Sequence, residues 1–154
     1  PDRLRPEMGK GGDNLFPDLF GADAEARDGE AVRKTVGEEF VRIVRDERRI
    51  RAFDDALALL DAVRARGLRT ALATSSAPEH LEATLARAGL GTPDGGPLRD
   101  RFDAVVTKGD VAASKPEPDV VLAAVRKLGL SPAQCALVGD TPHDAEAAKR
   151  AGVV

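Results

Sequence analysis

A chain of 154 residues with 42% hydrophobic and 32% charged side chains is long enough to bury a core and too apolar for a disordered segment. A net charge of -3 leaves no basic footprint for nucleic acid, and five Phe without Trp or Tyr leave few platforms on which bases could stack. The single Cys excludes an intrachain disulfide and no apolar run reaches membrane-spanning length, so a cytoplasmic setting without membrane contact is expected.

In chain order, residues 1–50 are charged and helix-prone. Asp13 is placed to cap a short helix through Phe20 that ends at Gly21, and Val32, Val36, Phe40, Val41 and Val44 recur at helical spacing in a longer one. The arginine-dense stretch 48–53 reads as a solvated hinge surface. A helix carrying Ala56, Leu57, Leu60 and Val63 stops at Gly67; a strand over 68–74 follows, then a helix from Pro78 to about Ala88 ended by Gly89. A Pro- and Gly-rich loop over 91–97 precedes a strand at 104–107 and a helix over 118–128, whose first residue is expected to be Pro118. After a turn at Ser131-Pro132 the apolar run 135–138 reads as a buried strand with Cys135 a small core residue, and a last helix reaches Ala151 before Gly152. Strands and helices alternating at this spacing predict an α/β fold with a parallel, doubly wound sheet.

Three segments at strand ends carry the chemistry. In Gly139-Asp140-Thr141-Pro142-His143-Asp144 the apolar run delivers two carboxylates to the edge of the sheet where ligands bind, at a spacing that suits Mg²⁺ rather than zinc. The competing reading is that Asp140 caps the next helix while Asp144 complements its dipole. Lys115, held extended by Pro116 and set just before a helix, is a misplaced cation unless an anion meets it there; otherwise it is a solvated lysine in a proline-rich turn. Thr74-Ser75-Ser76 ends a strand and leads into a helix, which offers hydroxyls and N–H groups to an anion. At least one of the serines is expected to be a simple N-cap, and Thr74 is the better ligand-contacting candidate. Near the front, Lys10 stands among Gly9, Gly11 and Gly12, either to meet an anionic group of a substrate or as a solvated side chain in a flexible turn.

A hydroxyl, a lysine and paired aspartates in that order resemble the haloacid dehalogenase (HAD) superfamily, and Phe102–Val111, Lys115–Asp119 and Leu128–Pro132 resemble its members with helical caps, the phosphoglycolate phosphatase and beta-phosphoglucomutase-like branch. The resemblance implies a Rossmann-like core over 51–154 and part of an α-helical cap over 1–50. It further implies Mg²⁺ held by Asp140 with Asp144 as ligand or outer support, phosphate held by Thr74, Ser75 and Lys115, and Lys10 as a cap residue near the substrate. His143 falls at a variable position of the pattern and is expected on the surface near the site.

The family's first motif, an Asp-x-Asp pair on a first strand, has no counterpart in residues 1–73, so the nucleophile is expected upstream and residues 1–154 alone are expected to be inactive. The implied activity is a Mg²⁺-dependent phosphatase of small phosphorylated metabolites acting through an aspartyl-phosphate, as a monomer or homodimer. A sugar phosphomutase of the same superfamily stands beside it. Halide displacement does not need the cation site. A non-enzymatic phospho-receiver module shares the residue types, but there the lysine follows all the carboxylates, whereas Lys115 precedes Asp140.

Overall fold

The structure, a computed structural model, describes residues 4–47, 50–88 and 101–154. The loop expected at 91–97, the helix end at Gly89 and the arginines at 48 and 49 lie outside the described residues. Helices α1 (Gly12–Phe20) and α2 (Ala22–Asp46) pack on each other, and α2 lies along α4 (Pro78–Arg87), where the Phe40 and His80 rings stack at 4.9 Å. The remaining elements are α3 (Ala56–Ala65), β1 (Ala71–Ala73), β2 (Ala104–Val106), α5 (Asp119–Leu128) and α6 (Pro142–Ala151), with 3-10 turns at 5–7, 108–110 and 132–134.

β1 and β2 pair in parallel, Leu72 opposite Val105. Side chains on successive strand residues point to opposite faces, and both faces are covered. Ala71, Ala73 and Val106 meet Val120, Val121, Ala124 and Val125 of α5 and Ala147, Ala148 and Ala151 of α6; Leu72 and Val105 meet Leu81 and Leu85 of α4 with Leu57 and Leu60 of α3. This is the doubly wound arrangement that the alternation of elements predicts. α5 is buried over most of its circumference and ends at Gly129, whose φ of 67° is the left-handed conformation that glycine adopts without strain.

Several local expectations are corrected. The first strand runs over 71–73 rather than 68–74, and Leu68 is exposed. Pro118 precedes α5 as its N-cap instead of opening it. Gly11, not Asp13, is the N-cap of α1, because the Asp13 carboxylate is drawn to distant partners described below. The run 135–138 is extended but forms no strand: its described backbone pairing is Leu137 N–H to the Val154 carbonyl at 2.7 Å and Val154 N–H to the Cys135 carbonyl at 3.3 Å. A strand needs a neighbour along its length, and among the described residues Val154 alone pairs with this run. Val138 is accordingly 98% exposed, and Cys135 is half-buried at the margin of the core.

Candidate active site

Parallel pairing brings the loops after β1 and β2 together. Thr74 N–H donates to the Val106 carbonyl at 3.0 Å, and Lys108 N–H to that of Ser76, also at 3.0 Å. The Thr74 hydroxyl accepts the Ser76 N–H at 3.1 Å, closing a tight turn, while the Ser75 hydroxyl accepts the Lys115 N–H at 3.2 Å. Neither serine caps α4; its N-cap is Ala77, which has no side chain to offer. Ser75 thus ties the loop after β1 to the loop that carries Lys115.

Lys115 Nζ lies 2.6 Å from Asp144 Oδ1, with both side chains largely buried. The other Asp144 oxygen accepts the Thr141 N–H at 3.1 Å and the Thr141 hydroxyl at 2.6 Å, a capping box at the start of α6. Asp144 is therefore at once the carboxylate at the helix start that the competing reading describes and the anchor of Lys115. Burial alone pushes its carboxyl up, but the Lys115 and Thr141 hydrogen bonds and the Lys115 charge outweigh this and hold it below the ordinary value. Gly139 permits the fold-back: a Cβ there would lie 2.4 Å from the Asp144 Cβ.

Asp140 does not cap α6; Thr141 does, and Asp140 is exposed with no side-chain partner among the described residues. No group of three or more potential metal ligands occurs among the described residues. The free carboxylate at 140 nonetheless has the hard oxygen chemistry that Mg²⁺ takes, and Mg²⁺ accepts one or two protein carboxylates with waters and phosphate oxygens. With both of its oxygens engaged, Asp144 fits outer support rather than direct ligation.

Lys10 is ion-paired within its own segment. Its ammonium is bonded to Asp18 at 2.6 Å and to Glu7, and the Asp18 hydrogen bond leads in raising its pKa. His143 is half-buried, its Nε2 3.0 Å from the Pro6 carbonyl. Sequence reasoning missed three residues that converge on the Lys115 loop. Asp13 Oδ2 accepts from Lys108 Nζ at 2.8 Å and from the Ser114 N–H at 3.1 Å, and Asn14 Nδ2 donates to the Ser114 carbonyl at 2.9 Å. These partners are about a hundred positions apart, so no local spacing could have found them.

The family profile described as haloacid dehalogenase-like hydrolase matches residues 4–152, and the chain belongs to that family of hydrolases. It is 34% identical over 110 residues to a phosphoserine phosphatase of Thermus thermophilus, covering 71% of this chain and 41% of that protein. It is 39% identical over 101 residues to a phosphoglycolate phosphatase of Rhodospirillum rubrum, covering 66% of this chain and 39% of that protein. The fold matches the crystal structure of a hydrolase from Pseudomonas syringae at a TM-score of 0.80 and 24% identity, covering 98% of this chain and 65% of that one. The chain thus spans about two fifths of the length of these two phosphatases. No helix among the described residues is long and apolar enough to cross a membrane.

Proposed function

We propose that this chain supplies the phosphate-holding and cation-holding residues of a Mg²⁺-dependent phosphatase acting on small phosphorylated metabolites. The observation that carries the reading is the Lys115–Asp144 pair at 2.6 Å, beside the loop in which Ser75 grips the Lys115 amide. Phosphoryl transfer is chiefly a matter of positioning and of neutralising oxygens that stay negative throughout, so a fixed ammonium with N–H donors to spare is the part such a site needs most.

In this reading residues 51–154 are the core and residues 1–50 part of a helical cap. Lys115 directs its remaining N–H groups to a phosphate oxygen, and Asp144 fixes the direction of the ammonium while keeping it charged. Thr74 and the Ser75 N–H receive a second oxygen at the end of β1. Asp140 would hold Mg²⁺, which would supply positive charge to offset that of the transferring group. An aspartate not among these residues would attack phosphorus as the bond to the substrate's leaving oxygen breaks and that oxygen takes a proton; water would then hydrolyse the aspartyl-phosphate, releasing phosphate and restoring the carboxylate. The strand bearing that aspartate would lie between β1 and the extended run 135–138, whose exposed Val138 it would cover.

The test is hydrolysis of p-nitrophenyl phosphate by the full-length enzyme with and without Mg²⁺. Turnover that requires Mg²⁺ and collapses in Lys115→Ala is expected. Near-native turnover in Lys115→Ala would remove the assigned role.

A further inference from the structure

The start of α1 touches the Lys115 loop at more points than a passive cover requires. Asn14 Nδ2 donates to the Ser114 carbonyl at 2.9 Å and reaches the Lys115 carbonyl at 3.4 Å, while the adjacent Asp13 accepts the Ser114 N–H at 3.1 Å and the Lys108 ammonium at 2.8 Å. The Ser114–Lys115 backbone is therefore gripped on both sides by α1, and the Lys115 N–H is taken by Ser75. Gly11 makes the approach possible, since a Cβ there would come 2.2 Å from the Ser114 Cβ, and Ser114 is fully buried beneath it. α1 has no fully buried residue, and Phe20 at its C-terminal end is 63% exposed. Its seat on the core is thus polar rather than apolar.

We propose that Asn14, with Asp13, is a positioning residue for Lys115, delivered from the segment in front of the core. A lysine side chain is long and flexible, so where its ammonium lies depends on where its peptide is anchored. Ser75 and Asp144 anchor the amide and the ammonium; Asn14 anchors the carbonyl side. With α1 seated, all three anchors hold and Lys115 meets the phosphate; without α1, the Asn14 anchor is missing. Misplacing a charged group by about 1 Å costs up to about a hundredfold in rate, so seating of α1 and competence of Lys115 are coupled. This inference rests on Lys115 as the phosphate-holding group.

A double-mutant cycle in the full-length enzyme tests it, read by kcat for p-nitrophenyl phosphate hydrolysis and by calorimetric affinity for inorganic phosphate. Asn14→Ala is expected to lower kcat about five- to tenfold, the effect of one hydrogen bond lost from a positioned group, and to weaken phosphate binding similarly. Asn14→Asp keeps the size, turns an acceptor toward the carbonyls, and is expected to lose at least as much; it carries the test should Asn14→Ala fold poorly. In the Lys115→Ala background neither Asn14 change should lower either quantity further. Full losses that persist without Lys115, or wild-type kcat and phosphate affinity in both Asn14 variants, would overturn the proposal while leaving the phosphatase reading in place. Wild-type turnover in Lys115→Ala alone would instead remove the phosphatase role of Lys115 itself.

Discussion

Lys115 and Asp144 stand 29 positions apart, one on a loop and one in the first turn of α6, yet their charged atoms meet at 2.6 Å. The pair joins the loop before α5 to the first turn of α6 and fixes a cation that would otherwise be repelled by the positive ends of both helices. Its consequences for the molecule can be measured.

Removing either partner should have unequal effects. Lys115→Ala is expected to lower turnover of the full-length enzyme by roughly two orders of magnitude, as loss of a preorganised charge does. Asp144→Asn retains Lys115 but leaves it unanchored, so roughly a tenfold loss is expected together with about 1–3 kcal/mol of stability, because a largely buried cation loses its counter-ion. Steady-state kinetics and denaturant unfolding of the two variants provide the comparison; equal turnover would detach Lys115 from the chemistry.

Asp140 should report on the cation alone. Its side chain has no partner among the described residues, so Asp140→Asn is expected to leave the melting temperature of the metal-free protein unchanged. The rise in melting temperature that Mg²⁺ produces should shrink or vanish, since a ligand stabilises in proportion to its affinity for the folded state. Thermal unfolding across a Mg²⁺ titration checks this, and an undiminished rise would move the cation elsewhere.

Acid should weaken the fold through identifiable carboxylates. Asp110 is lowered from 3.8 to about 2, chiefly by the Thr107 N–H and then by Lys127. In Asp13 and Asp144 burial opposes the shift, but hydrogen bonds and charge from Lys108 with Ser114, and from Lys115 with Thr141, win and lower both. A carboxyl lowered in the folded state binds fewer protons there than when unfolded. Its contribution to stability is therefore complete above pH 3.8 and is lost as pH falls through the folded value. For Asp110 the window runs from pH 3.8 to about 2, and Asp110→Asn should flatten the decline of stability there in acid titrations followed by circular dichroism.

Gly139→Ala should act on the site through space. The added Cβ would fall 2.4 Å from the Asp144 Cβ, and since that neighbour is tied to Thr141 and Lys115 it cannot yield freely. A loss of about 1–3 kcal/mol is expected from overpacking, with a fall in turnover resembling that of Asp144→Asn. Chemical denaturation and kinetics on the variant decide it; unchanged values in both would mean that the loop relaxes without disturbing the ion pair.

Much of the core was legible in the sequence because its signals are local. Apolar periodicity placed α3, α4, α5 and α6 to within a residue or two at the described ends, and Gly152 marked the end of α6 through the left-handed conformation that it adopts. The apolar run at 135–138 misled, since an apolar run states that a segment can be a strand but not that a neighbour is present to pair with it. At Lys10 the residue pattern left two readings open, an anion-meeting lysine or a solvated one, and the fold adds ion pairs with Glu7 and Asp18 that neither reading contained.

By itself the sequence determined which residue types stand at the ends of the strand-like runs, a hydroxyl at 74, a cation at 115 and carboxylates at 140 and 144, because chain direction and apolar periodicity are written residue by residue. Only the tertiary structure decided which of them meet. It joined Lys115 to Asp144, left the Asp140 carboxylate without a partner among the described residues, and set Asp13 and Asn14 against Ser114. Such contacts depend on how helices pack across both faces of the sheet, and packing brings together side chains that sequence distance keeps apart.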